Sequence, residues 1–385
     1  MAMVKGDAHM RKRKVLGVIA GVLGLAILTV AGISIYHHMR LRSTIRRMEQ
    51  AGLCNTVSVG ERSLNILRAG NENSSHKIVV ITGWGDGGEA YWGWRGFTEP
   101  FEQDNEFIFV DRAGYGLSDD NTDGATVAGT VEDYRTALQN SGIDGPYILM
   151  AHSLGGLYSS YWVSTYPEEV EGVIIFDGTV PVCDETAALY STDNLSHTQR
   201  LSLNAFINSM NLLCRTGFIR FIGTGYEDYI NDLPAEDIDY ATDMLMRTME
   251  SQASVDELWG IIDSSMQNET WNHLAASDVP KIYIDASDLN STDEEIIEMY
   301  GAENPLSTVT IPELRPLYEA SGEVTDDMIV EAVRAYDQRE YEDTLAYAEL
   351  IGNCEVVSIP GDHLIFLDRT EDVQTVVSDF LSRIS

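Results

Sequence analysis

The chain has 385 residues, enough for one large domain or two ordinary ones. Its formal net charge is −36 at pH 7; residues 1–47 hold nine of the 25 basic and one of the 61 acidic residues, so 48–385 keeps 16 basic and 60 acidic ones. So acidic a chain excludes nucleic acid as a partner, and four cysteines without a Cys-x-x-Cys or a histidine at zinc spacing exclude a metal framework.

Residues 1–14 form a basic tail. Val15 to Tyr36 follow as 22 residues without a charge, long enough to cross the hydrocarbon core as a helix. The run exceeds the usual apolar region of a cleaved signal and no Ala-x-Ala site follows it, which predicts an uncleaved transmembrane anchor. Lys5, Arg11, Lys12, Arg13 and Lys14 precede the span, and Arg40, Arg42, Arg46 and Arg47 follow it. That excess predicts a single-pass membrane protein with the tail inside and the large domain outside the cytoplasm. Residues 37–55 read as a juxtamembrane linker and 56–385 as the domain. In an oxidising compartment Cys183 and Cys214 are the pair that could form a disulfide, with Cys54 and Cys354 apart; four free thiols are the alternative.

Past the anchor, Thr56 to Arg68 alternates around Gly60 as an antiparallel hairpin. Apolar runs at Lys77–Thr82, Phe107–Asp111, Tyr147–Met150, Gly172–Asp177, Lys281–Asp285 and Glu355–Ile359 predict strands. Helical stripes lie between and after them, as at Val127, Val131, Tyr134 and Leu138 and again from Val373 to Ile384. Alternating elements predict an α/β fold with a mainly parallel sheet and helices on both faces. Two stretches interrupt it: a helical insertion at about 179–279, placed to form a cap, and an acidic one at about 289–353. Met210, Met244, Met246 and Met249 in the first read as helix packing, with the lining of an acyl pocket as the alternative. Asp119-x-Asn121-x-Asp123-Gly124 opens like a calcium loop, but its twelfth position is Thr130, so a polar turn is expected.

Between the strand at Tyr147 and the helical run Leu154–Tyr166 stands Ala151-His152-Ser153-Leu154-Gly155-Gly156. Small residues two before and two after the serine let a strand turn sharply into a helix, which exposes the hydroxyl at the carboxyl edge of the sheet. Ser58, also in a Ser-x-Gly, lacks the small residue two before it and reads as hairpin. A serine needs a base, and the base a carboxylate. Of eight histidines, His363 follows the last strand in Pro360-Gly361-Asp362-His363 and emerges at the same edge, whereas the corner turns His152 away. Asp288 and Asp177 both follow strands between Ser153 and His363, and Asp285 is the reserve. The backbone N–H groups of Leu154 and of Trp84, in the glycine-rich turn Thr82–Gly88, are the candidate oxyanion donors.

In this order the motifs VVITGWG, FIFVDRAGYGLSD, GPYILMAHSLGGLYSSYWVSTYPEEVEGVIIFDG, VPKIYIDASD and VVSIPGDHLIFLDRTEDV resemble the α/β-hydrolase superfamily over roughly residues 56–384, the two insertions excepted. The resemblance implies a serine hydrolase with nucleophile Ser153 and base His363, acting by acyl transfer to water without a cofactor or metal. For the acid it favours Asp288, at the usual family position, with Asp177 as the alternative. The serine departs from the dehalogenase and epoxide-hydrolase branches, which carry aspartate there, and Thr82-Gly83 stands where His-Gly usually opens the oxyanion loop. An ester is the first expectation for the substrate, an amide or peptide bond in the aminopeptidase manner the second, and a non-catalytic binding protein of the same fold the third.

Overall fold

The computed structural model describes residues 2–85, 90–121, 123–223, 230, 233–287, 289, 291–300 and 324–384. Eight strands form one sheet: β1 Thr56–Ser58, β2 Ser63–Gly70, β3 His76–Ile81, β4 Asn105–Asp111, β5 Tyr147–His152, β6 Val170–Phe176, β7 Lys281–Ala286 and β8 Cys354–Ile359. Their spatial order is β1-β2-β4-β3-β5-β6-β7-β8. β1, β2 and β4 pair antiparallel, and all pairs from β4 to β8 are parallel. The chain reverses its direction of travel across the sheet between β3 and β5. At such a switch point in an open α/β sheet, ligands bind beyond the carboxyl ends of the strands.

The alternation of side chains makes two cores. Val79, Ile81, Leu149, Ala151, Val173 and Ile175 face one layer, with α3 (Val127–Asn140) and α4 (Gly155–Thr165) upon it. Ile78, Val80, Ile148, Met150, Ile174 and Phe176 face the other, covered by α2 (Ala90–Thr98) and the final helix Thr370–Ile384. Strands so covered on both faces carry continuous apolar runs, which is why the sequence shows them plainly.

Between β6 and β7 the first insertion is helical: α5 Asp184–Tyr190, α6 His197–Arg215, α7 Ala235–Met249, α8 Gln252–Ile262 and α9 Ser265–Trp271. Between β7 and β8 the described helices are α10 Asp293–Tyr300 and α11 Asp326–Ile351. Asp119 and Asp120 tie β2 and α8 to the chain after β4. Asp119 accepts from Ser63 N (2.8 Å), and Asp120 caps α8 by accepting from the amides of Gln252 and Ala253 (2.8 and 3.1 Å). A carboxylate at a helix amino end meets both the unpaired N–H groups and the positive end of the helix dipole.

The amino-terminal segment is one helix, α1, spanning Ala2–Gln50. It is long and apolar enough to cross a membrane, with mean hydropathy 2.5 and its apolar window wholly unburied. The stretch expected as a linker continues the helix to Gln50 and docks on the cap. His37, Leu41, Thr44 and Met48 are buried at spacings of four, three and four, one face of a helix. Asp243 of α7 receives Arg40, Thr44 and Arg220 together. All four cysteines are thiols; Cys183 and Cys214 are unbonded, with Cys214 buried in the cap.

Candidate active site

Ser153 stands between β5 and α4 with φ 52°, a left-handed value costly for any residue with a Cβ. Ser153 N donates to Phe176 O (3.2 Å), while Ser153 O accepts from Gly156 N (2.8 Å) and Thr179 N (2.9 Å). The corner is possible because its neighbours are glycines. A Cβ on Gly155 would lie 2.1 Å from Ile81 O, and one on Gly83 would lie 2.9 Å from Ser153 Cβ. The helix thus sits directly on β3, and the loop after β3 runs beside the serine.

His363 reaches this corner from the loop after β8. Ser153 Oγ and His363 Nε2 are 2.9 Å apart, and His363 Nδ1 lies 2.5 Å from Asp177 Oδ2. Asp177 takes φ 40° immediately after β6, and Ala286 N donates to its other oxygen (3.3 Å). The imidazole is about half exposed and the carboxylate mostly covered. Of the carboxylates weighed in the sequence, Asp288 lies outside the described residues, and among the described residues Asp177 lies on the imidazole. Asp285 is buried beneath it; burial first, then the charges of Asp177, Asp337 and Glu340, push its carboxyl up to about 7.

His152 is turned away from the hydroxyl, as the corner requires, yet it belongs to the site. Its Nε2–H donates to His363 O (2.8 Å) and its ring lies 4.7 Å from the His363 ring. It fixes the backbone that carries His363. Nothing in its sequence position signals that role.

Beneath the loop Thr82–Gly85 lies a buried charge pair that sequence reading did not find. Arg112, which leaves β4, donates from Nε and Nη2 to the two oxygens of Glu257 in α8 (2.7 and 3.0 Å). The same guanidinium donates to Thr82 Oγ1 and O (2.9 and 3.2 Å) and to Gly83 O (2.7 Å). Tyr158 donates to Glu257 (2.9 Å), and Tyr115 bonds it as well while accepting from Gly85 N (3.2 Å). Burial pushes both phenols well above their ordinary range, so they stay donors. The cap and the loop beside Ser153 are therefore locked through one cation. Trp84 is half-buried with its indole N–H on Ser254 O (2.8 Å), and Met249 Sδ borders Gly85. Met244 and Met246 are buried in the cap, and Met210 is exposed.

Among the described residues, His37, His38 and Glu250 bring donor atoms within 4.8 Å of one another at the foot of the docked part of α1. His37 Nδ1 there already accepts from Arg220 (2.8 Å), which marks a hydrogen-bonded contact within the fold.

A mainly parallel eight-stranded sheet with a serine at the turn after β5, a cap after β6 and a histidine after β8 is the alpha/beta hydrolase fold, and the chain has it. Residues 77–204 match the family model described as alpha/beta hydrolase fold. The chain is 32% identical over 205 residues to the protein YbdG of Bacillus subtilis (strain 168), described as uncharacterized; the match covers 53% of this chain and 58% of the relative, so it spans little more than half of that protein. Among solved structures it is similar to a thermophilic esterase from Thermogutta terrifontis (TM-score 0.51, 15% identity, 86% of this chain and 97% of the other). It is equally similar to a variant of an epoxide hydrolase from Bacillus megaterium (TM-score 0.51, 15% identity, 85% and 100%).

Proposed function

We propose that the chain is a single-pass, membrane-anchored serine hydrolase that cleaves a carboxylic ester, with Ser153 as nucleophile, His363 as general base and then acid, and Asp177 as the orienting carboxylate. The observation that carries this reading is the relay from Ser153 Oγ to His363 Nε2 at 2.9 Å and from His363 Nδ1 to Asp177 at 2.5 Å. Ser153 Oγ adds to the ester carbonyl carbon while His363 Nε2 takes its proton and Nδ1–H stays on Asp177. Collapse of the tetrahedral intermediate expels the alcohol with that proton and leaves an acyl-serine, which water opens by the same steps.

The developing oxyanion needs two N–H donors. Leu154 N, the first amide after the nucleophile, supplies one. Trp84 N is the other. In a trans peptide the N–H of Trp84 points opposite to the carbonyl of Gly83, and that carbonyl is held by Arg112, so the N–H is turned away from the buried cation. A serine nucleophile favours esters over the epoxides named for one structural neighbour, and acyl transfer of this kind needs no cofactor. Residues 15–36 would anchor the enzyme, with the domain outside the cytoplasm.

A fluorophosphonate probe on the detergent-solubilised full chain tests the reading. Wild type is expected to be labelled on Ser153 and Ser153→Ala not at all; labelling that persists in the variant, or none in the wild type, overturns it. For the orientation, a membrane-impermeant protease should release the domain from intact cells, and digestion only after lysis would reverse it.

A further inference from the structure

Beyond the anchor, the longest run without Asp or Glu is Asn194 to Tyr226, 33 residues in a chain whose residues 48–385 hold 60 acids. Its charges are Arg200, Arg215 and Arg220. Its described part holds α6 and the 3-10 turn Phe218–Phe221. Elsewhere a run free of acids, such as Gly145 to Pro167, is mostly buried as β5 and α4. Here the side chains face out: Phe206 and Phe221 are 64% exposed, Leu201 61% and Leu212 60%, with Phe218 and Ile222 beside them. So many large apolar side chains left exposed on an otherwise strongly acidic domain mark an interaction surface.

The docking of α1 says which surface. His37 is the first buried residue of α1 beyond its exposed apolar part, and it packs on Gly217, where a Cβ would come within 2.3 Å of its own Cβ. Arg220 donates to its Nδ1. The turn Phe218–Phe221 therefore sits where the apolar span ends, at the level of Ile33 to His37. The charges agree with that level. Arg220 donates to His37, Arg215 donates to the backbone of Glu250, which pairs with His37, and Arg40 follows within one turn of α1.

Resting on the anchored-enzyme reading, we propose that α6 and the turn Phe218–Phe221 form a second membrane-contact surface, which dips into the lipid interface of the same bilayer that α1 crosses. Aromatic and aliphatic side chains enter the acyl boundary while arginines remain at headgroup level, as for an interfacial helix. The cap is then held from two sides, by the stripe His37–Met48 and by lipid. α6 is joined to the end of α7, where Asn211 donates to Met249 O (3.3 Å), and Met249 borders the loop beside Ser153. The lipid surface thus lies close to the site.

The test uses the full chain in phosphatidylcholine vesicles, with benzoylphenylalanine placed singly at Phe206, Phe221, Val22 or Leu350 and photoactivated; each position is exposed. Lipid adducts seen by mass are expected at Phe206, Phe221 and Val22 and absent at Leu350 on α11. An adduct at Val22 with none at Phe206 or Phe221 overturns the second surface alone. No adduct at Val22 overturns the anchor and the surface with it. A cross-linked dimer at Phe221 in place of a lipid adduct also overturns the inference, because the face would then meet a second copy.

Discussion

Two layers meet at the loop Thr82–Gly85, and they are held in opposite ways. On one side stand the Ser153 hydroxyl and the half-exposed His363 imidazole, fixed through backbone bonds such as His152 Nε2 to His363 O. On the other, Arg112 and Glu257 are each 2% exposed, and both depend on the pairing for their burial. Groups near water can be exchanged at little cost to stability, whereas breaking a buried ion pair strands a charge in low dielectric. Chemistry and rigidity are thereby separated by one turn of chain.

Substitutions can break that separation. The largest effect expected is that of Ser153→Ala, which should lower kcat about a millionfold on a p-nitrophenyl ester, since members of such a relay act as a unit. Its unfolding free energy should stay within about 0.5 kcal/mol of wild type, measured in urea. Asp177→Asn should lower kcat about 10⁴-fold with KM little changed. Activity within tenfold of wild type there would move the role to another carboxylate, beginning with Asp288.

The clamp should answer in the other observable. Glu257→Gln leaves Arg112 charged and buried, and a loss of about 3–5 kcal/mol in chemical unfolding is expected. An unfolding midpoint equal to wild type would show that the pair does not lock the cap.

The smallest effect belongs to Asp285. Its folded carboxyl is raised to about 7 by burial and by Asp177, so the native state holds its proton where the unfolded chain does not. Its contribution is fully present below the unfolded carboxylate range and falls as pH rises toward 7. Asp285→Asn, which cannot ionise, should therefore raise Tm by a few degrees (roughly 2–4 °C) at pH 8 and leave it unchanged near pH 4. Equal shifts at both pH values would reject the buried-carboxyl account.

The strands were legible in the sequence to within a residue or two, because burial on both faces writes a continuous apolar run. Two carboxyl ends fall short of the expectation for identifiable reasons. Thr82 leaves β3 to meet Arg112, and Asp177 leaves β6 in a left-handed conformation to meet His363. The corner at Ser153 and the histidine after the last strand were also readable, since a tight strand-to-helix turn restricts residue size locally and a sheet edge collects every strand's following loop.

What the sequence by itself determined was therefore everything governed by neighbours along the chain: the apolar strands, the small residues around Ser153, and a span able to cross a membrane. Tertiary structure alone brings Asp177 onto His363, because the two are 186 positions apart and meet only through the order of β6, β7 and β8. It also decided the partner of Arg112, which lies in the cap 145 positions away. The extension of α1 onto that cap belongs with these. A stripe of His37, Leu41, Thr44 and Met48 has helical spacing in any context, but only the surface that meets it, Asp243 of α7 together with Gly217 and Arg220, makes it a docked element.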